Sequence, residues 1–403
     1  MLRKPMQSPH ASLGVAASFV LVVLVGCKEG PSQPMTEAKL NPAPRLDATK
    51  FWDVTVSTRW NARALAFVAQ QTPGNPQAAV SRILTYLSLA QYRAVLAAEN
   101  PKSRSTHPSV PAAVGAASAS VLEGFFPSFA TTIEAELAAD LAAPGWPGAA
   151  QQDVTAGQSV GRAVATAVRA LAASDNYLVL SPGVPPVGPG YWKSSGAPIV
   201  RSLYGVRPFF LASRDQLRPP PPPAFGSPDY LEALAEVRAI SDTRTAEQLA
   251  VAKFWNTAVP PFTAGSLNLI ADDLIRGHHR TEHEAARILA YANAAAFDAQ
   301  IACFDAKFTY WFIRPSQADS AITLPIGLPN HPSYPSGHAC ITSAIMNVLT
   351  DAFPSERDSL QGIIHISGLS RIYGGIHYRF DIEAGEGIGS RAAALALVGT
   401  LER

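Results

Sequence analysis

Val80, Ile83, Leu84 and Leu87 recur at i, i+3, i+4 and i+7, so a helix built there carries one apolar stripe. Just upstream, Asn75-Pro76 sets a capping side chain ahead of a proline at the first helical position. Helical patterning starts near Phe51, and further helices are predicted over 110–124, 130–143 and 153–174, each bounded by Pro or Gly. The texture changes between Ser181 and Pro228, where Pro and Gly accumulate and Pro219 to Pro223 run unbroken. Such a run lacks the N–H donors a helix needs and favours extended backbone. Tyr191, Trp192, Phe209 and Phe210 punctuate it, which predicts an ordered strap lying on the helices rather than a flexible linker. Helices resume over 229–257, and Thr281-x-x-Glu284 is a capping box that predicts another helix start. Alternating strand patterns are nearly absent. The expected fold is all-α, two stacked helical bundles, with an N-terminal helical half at 49–180, the strap at 181–228 and a C-terminal bundle at 229–403.

The first 48 residues read differently. A short basic start (Arg3, Lys4) precedes an apolar run from Leu13 to Gly26, too short to span a bilayer comfortably and patterned as a signal-peptide core. Its end, Leu24-Val25-Gly26-Cys27, resembles the lipobox of bacterial lipoproteins. That resemblance implies a lipoprotein-type signal over residues 1–27, Cys27 as the lipid-carrying first residue of the mature protein, and a bacterial cell-envelope location facing the periplasm or exterior. An ordinary secretory signal with an incidental cysteine is the other reading. Residues 28–48, with Pro31, Pro34, Pro42 and Pro44, read as a flexible tether. No later run reaches about 18 uninterrupted apolar residues, so membrane contact is expected only through the anchor.

Composition narrows the class further. With 403 residues, 47% of them hydrophobic, the chain can bury a large core. A formal net charge of +1 and no sustained Lys/Arg stripe argue against nucleic acid as a partner. Of three cysteines, Cys303 and Cys340 fall in helical patterns and are expected as buried thiols; none sits at C-x-x-C spacing.

Candidate chemistry lies near the C-terminus, in three clusters. Lys307 and Arg314 stand seven apart, which on a continuous helix puts both on one face, with Arg314 at a helix end because Pro315 follows. His331-Pro-Ser-Tyr-Pro-Ser336-Gly337-His338 precedes an apolar helical run from Ala339 to Phe353. Free N–H groups and the positive end of the helix dipole there make an anion cradle, with the Ser336 hydroxyl and His338 beside it. Ser370-Arg371-Ile-Tyr-Gly374-Gly375-Ile-His377-Tyr-Arg-Phe-Asp381 suits a helix end. His377 falls in the turn, and the Asp381 carboxylate can hold one imidazole nitrogen and free the other. Alone, each cluster has a commoner reading: a solvated face, a helix start, a structural histidine. Their occurrence in this order within 307–381 changes that.

Together the clusters match, without a departure, the signature K-x6-R-P, P-S-G-H, S-R-x5-H-x3-D, and in this the chain resembles the type-2 phosphatidic acid phosphatase superfamily. That superfamily shares its active site with vanadium-dependent haloperoxidases. Val251-Ala-Lys-Phe-Trp255 and the long helix into Lys307 are similar to the soluble haloperoxidase branch; Phe51-Trp52 and Trp60-Asn61 are so more loosely. The resemblance covers roughly 49–403 and is specific from about residue 245. It implies a site for vanadate, with phosphate able to occupy the same place, bound by Lys307, Arg314, Ser336, the Gly337 N–H and Arg371. His377 is implied as axial vanadium ligand, or as nucleophile on phosphorus. His338 is implied as acid–base partner, Lys307 as the group polarising peroxide, and Asp381 as the residue orienting His377. Glu247 is a candidate partner for Arg371. His331 stands where bromide-oxidising haloperoxidases also carry histidine; its plainer reading is a residue on the approach to a helix.

The preferred expectation is a haloperoxidase using hydrogen peroxide, a halide and an organic acceptor. An acid phosphatase, hydrolysing a phosphate ester through a phosphohistidine, is the alternative, and a non-catalytic oxyanion-binding lipoprotein the third. His279 and His283 share i, i+4 spacing beside His278, but no third ligand declares itself and a polar helix start explains them better. Which halide, which organic substrate and which oligomeric state stay open.

Overall fold

The computed structural model describes residues 55–71, 77–100, 107–143, 153–177, 179–180, 183–256 and 262–401. Cys27, the signal and tether expectations, Phe51-Trp52 and the Asn75-Pro76 cap lie outside them. Helices fill most of what is described, with no strand among these residues. The N-terminal layer holds α1 (Val56–Gln71), α2 (Gln77–Glu99), α3 (Val110–Phe125), α4 (Ala130–Ala142) and α5 (Val154–Ala173). After the Pro-rich strap come α6 (Pro228–Thr243), α7 (Ala246–Phe254), α8 (Phe262–Gly277), α9 (Glu282–Tyr310) and the short α10 (Pro315–Ala318). The chain closes with α11 (Gly337–Ala352), α12 (Arg357–Tyr373) and α13 (Arg379–Val398). Among the described residues no helix is long and apolar enough to cross a membrane.

α9 is the axis of the molecule. Thr281 caps it, its hydroxyl accepting from the Glu284 N–H while the Glu284 carboxylate accepts from the Thr281 N–H at 2.9 Å. Nearly every residue from Ala285 to Phe308 is buried, because α9 packs on α2 on one side and on α11 and α13 on the other. A helix surrounded in this way is built largely of small and apolar residues, and here alanines at 285, 286, 290, 292, 294–296, 299, 302 and 306 let its neighbours approach closely. One apolar core, from Val56 to Leu401, therefore runs through both layers.

Two glycines set the spacing behind the site. On α13, a Cβ at Gly385 would sit 2.7 Å from the Ser336 carbonyl oxygen, and one at Gly389 2.5 Å from that of Cys340. Only glycine lets α13 pack this tightly on α11. Cys303 on α9 and Cys340 on α11 are buried free thiols between the same helices.

The strap lies along α9. The Asp298 carboxylate accepts the backbone N–H groups of Phe209, Phe210 and Leu211 at 2.7–3.1 Å. Two turns on, buried Asp305 pairs with Arg214 and Arg218. Tyr310 and Tyr334 donate their hydroxyls to the carbonyls of Pro219 and Pro220, which fixes the polyproline run.

One expectation needs correction. Lys307 and Arg314 do not share a helix face, because α9 stops at Tyr310: Trp311 takes a left-handed conformation, φ 51°, with its N–H on the Lys307 carbonyl. Phe312 and Ile313 run extended, and Arg314 (φ −80°, ψ 151°) is the residue before α10. The proline rule acts here by starting a short helix rather than by ending the long one.

Candidate active site

Four segments meet at the C-terminal end of α9: the α9–α10 junction, the loop 331–336, the start of α11, and the turn from α12 into α13. Lys307, in the last turn of α9, is fully buried and donates Nζ–H to the carbonyls of Pro332 (2.8 Å) and Ser333 (2.7 Å). Arg314 is as deeply buried. Its Nε and Nη2 donate to the His331 carbonyl at 3.2 and 3.1 Å, and its Nη1 donates to the Ile376 carbonyl at 2.6 Å and to His377 Nε2 at 3.0 Å. Arg371, 1% exposed, donates Nε–H to Ser370 Oγ and Nη2–H to the Ala252 carbonyl.

Asp381 ties the segments together. Its Oδ2 accepts from His377 Nδ1 (2.7 Å), from Ser333 Oγ (2.6 Å) and from the Tyr378 N–H (3.1 Å), while its backbone carbonyl accepts the Ser336 N–H at 2.8 Å. A carboxylate accepts only, so the His377 proton is on Nδ1 and Nε2 carries the lone pair that Arg314 meets. Gly375, at φ 73°, lets the chain leave α12 so that His377 can face inward.

The start of α11 completes the arrangement. Ser336 caps the helix, its Oγ receiving the Ala339 N–H, and its hydroxyl proton remains available to a ligand. The Gly337 and His338 amides are first-turn donors without helical acceptors. A Cβ built at Gly337 would meet nothing within 4 Å, so this helix end opens onto space.

The electrostatics are unusual. Among the described residues, Lys307, Arg314 and Arg371 form no ion pair with a carboxylate, and the one buried carboxylate at hand, Asp381, is engaged by His377. Burial, with the neighbouring Arg314 charge, brings Lys307 down to about 8. The same burial brings Arg314 to about 10 and Arg371 to about 9. Burial raises Asp381 to about 6, against the pull of Ser333, Lys307 and Arg314. His331, His338 and His377 are held well below their ordinary value by burial and by the surrounding cations, so all three imidazoles are neutral. Burying one unpaired cation is expensive; burying three close enough to act on the neighbouring imidazoles of His338 and His377 makes a place for a multiply charged anion.

The remaining sequence candidates divide. His331 sits at the rim, half-buried, its Nδ1 3.0 Å from Arg314 Nη2 and its ring edge-on to Phe304. Glu247 is misassigned as a partner of Arg371. It lies in the exposed first turn of α7, where Thr245 and its own backbone hold its carboxyl below the usual range, and Arg371 meets the Ala252 carbonyl further along that helix. His278 and His283 pair separately with Glu356 and Glu99, and among the described residues no group of three His, Cys, Asp or Glu could hold a metal ion. Ser333 escaped the sequence reading, although its place two residues after His331 was a usable signal. Thr263 escaped it too; its hydroxyl lies 3.0 Å from His338 Nε2, and no motif surrounds it.

Residues 286–402 match the model of the PAP2 superfamily, and they include all three clusters. The fold is that of the vanadium-dependent haloperoxidases. A bacterial vanadium-dependent iodoperoxidase superposes with a TM-score of 0.73 at 21% identity, covering 85% of this chain and 96% of that one. A bacterial vanadium-dependent chloroperoxidase does so at 15% identity in two forms. Its apo form has a TM-score of 0.67 and covers 82% and 95% of the two chains; its holo form, 0.63, covers 82% and 94%. No curated protein matches the sequence.

Proposed function

We propose that this protein is a haloperoxidase that oxidises halide with hydrogen peroxide at a vanadate held by His377. The observation that carries the reading is the set of three buried cations, none paired with a carboxylate among the described residues: Arg314 on the His377 Nε2 lone pair, Lys307 close enough for its charge to act on His377, and Arg371 on His338. The vanadium dependence of the proteins with this fold supports it. The donor set fits a tetrahedral oxyanion: two guanidinium forks, one ammonium, the Ser336 hydroxyl and the first amides of α11. Bound vanadate supplies a Lewis acid that activates peroxide towards halide without a change in its own oxidation state.

Each side chain then has a defined task. Lys307, Arg314 and Arg371 bind and orient the oxyanion and oppose charge that develops on its oxygens. His377 presents Nε2 as the protein's ligand atom, and Asp381 keeps the proton on Nδ1 so that the lone pair stays available. His338 takes up and returns the proton that moves with the exchanging oxygen. Burial excludes bulk water and strengthens all of these interactions.

The test uses purified protein lacking residues 1–27. Bromide and iodide oxidation with peroxide are assayed after loading with orthovanadate, and hydrolysis of an aryl phosphate is assayed in parallel without it. Vanadate-dependent halide oxidation is expected. Brisk phosphate hydrolysis alone would assign the same residues to a phosphatase that works through a phosphohistidine at His377. We also propose that Cys27 anchors the chain to the bacterial envelope; partitioning of the full chain into detergent should vanish in Cys27→Ser.

A further inference from the structure

Two histidines of the site are held in opposite tautomers. His377 gives its Nδ1 proton to Asp381. His338 shows the reverse pattern: its Nε2 lies 2.9 Å from the Trp255 carbonyl oxygen and 3.0 Å from Thr263 Oγ1. A carbonyl oxygen only accepts, so the proton of the neutral ring is on Nε2 and the lone pair is on Nδ1. Among the described residues Nδ1 has no hydrogen-bond partner. Local structure explains the arrangement. Trp255 follows the last turn of α7, where carbonyls lack helical donors and carry the negative end of the helix dipole. Thr263, fully buried in the first turn of α8, brings its hydroxyl to the same nitrogen. Both partners are neutral, in contrast to the carboxylate on His377.

We propose that Thr263, together with the main-chain carbonyl of Trp255, positions His338 with its proton fixed on Nε2, so that proton transfer in the site runs through Nδ1. The proposal rests on the reading that His338 handles the proton in turnover. Nδ1 accepts the proton of the incoming oxygen acid and returns it to the departing oxygen, while Nε2–H stays on Trp255 throughout. Neutral partners stabilise the transient imidazolium less than Asp381 would, so the proton is returned readily. The two histidines are thereby set to different work: one with a carboxylate behind it to bear positive charge, one with neutral oxygens behind it to pass a proton on.

The test combines spectroscopy on the vanadate-free protein with kinetics. In 15N-histidine-labelled protein, the His338 signals, identified by their loss in His338→Gln, should show a protonated Nε2 and a bare Nδ1. Thr263→Val should shift or broaden those signals. The same variant should lower kcat about 10-fold, the low end for residues that orient a ligand or base, with KM for peroxide within about twofold. Thr263→Ser should restore both, since it keeps the hydroxyl. A proton found on Nδ1 in the wild type, a Thr263→Val protein with unchanged spectrum and kcat, or a loss that serine does not rescue would each overturn the proposal. Should the wild type oxidise no halide and hydrolyse no phosphate ester, the functional reading fails, and the 15N spectra still decide where the proton sits.

Discussion

Arg314 Nη1 lies 3.0 Å from His377 Nε2, so a fully buried guanidinium meets the one imidazole lone pair that Asp381 leaves open. The same Nη1 also donates to the Ile376 carbonyl, while Nε and Nη2 donate to that of His331, on a different segment of the site. Lysine supplies one point charge and cannot bridge both while also facing an oxyanion. Arg314→Lys is therefore expected to weaken orthovanadate binding about tenfold or more, the equivalent of one lost charge-assisted hydrogen bond, as read by titration calorimetry. An unchanged affinity would place Arg314 outside the binding set.

The lowered Lys307 gives binding a pH signature. Without a ligand its folded value is about 8, against 10.5 ordinarily, so above pH 8 the side chain is mostly neutral. An oxyanion favours the charged form and draws a proton back. Affinity for orthophosphate should accordingly be full below pH 8 and fall by up to about tenfold per pH unit above it. Calorimetry at pH 9 in two buffers of different ionisation enthalpy should show net proton uptake by the protein in wild type, and none from this source in Lys307→Met.

Asp298 holds the strap through three backbone N–H groups and, among the described residues, makes no ion pair. Burial raises its carboxyl to about 7 despite those donors. Asp298→Ala leaves three donors without an acceptor, which at roughly 1 kcal/mol or more each predicts a loss of about 3 kcal/mol in urea denaturation. Proteolytic cleavage should then appear first between 205 and 215. A variant as stable as wild type would mean that the strap is held elsewhere.

Two glycines on α13 make a paired prediction. At Gly389 a methyl would strike the Cys340 carbonyl, so Gly389→Ala should cost about 1–3 kcal/mol and, by pushing α11 away, lower turnover as well. At exposed Gly387 a methyl meets nothing within 4 Å, and Gly387→Ala should stabilise by roughly 0.5–1 kcal/mol through helix propensity alone, with activity intact. Thermal melts of the two variants should move in opposite directions.

What could be read from the sequence was whatever local chemistry determines. The Thr281 capping box starts α9 because its two bonds lie within four residues, and Ser336-Gly337 starts α11 for the same kind of reason. Spacing told that His377 and Asp381 could bond, since four residues within one turn decide it. Failures came where tertiary contacts decide. The left-handed Trp311 separates Lys307 from Arg314, and no residue nearby announces such a break. Glu247 looked like a partner for Arg371, but it stands exposed in the first turn of α7, and a backbone carbonyl further along that helix meets Arg371 instead. Main-chain acceptors such as those of Trp255 and Pro332 carry no sequence signal, and a lone threonine such as Thr263 carries almost none.

A crystal structure of the protein soaked in orthovanadate would test the central claim most directly. The account predicts density for one tetrahedral or five-coordinate vanadate, with His377 Nε2 as the ligand atom, Arg314 swung from that nitrogen onto vanadate oxygen, and Lys307, Arg371 and the Gly337 amide in contact. Vanadate bound elsewhere, or a site that stays as it is at saturating vanadate with Arg314 still on His377, would contradict it.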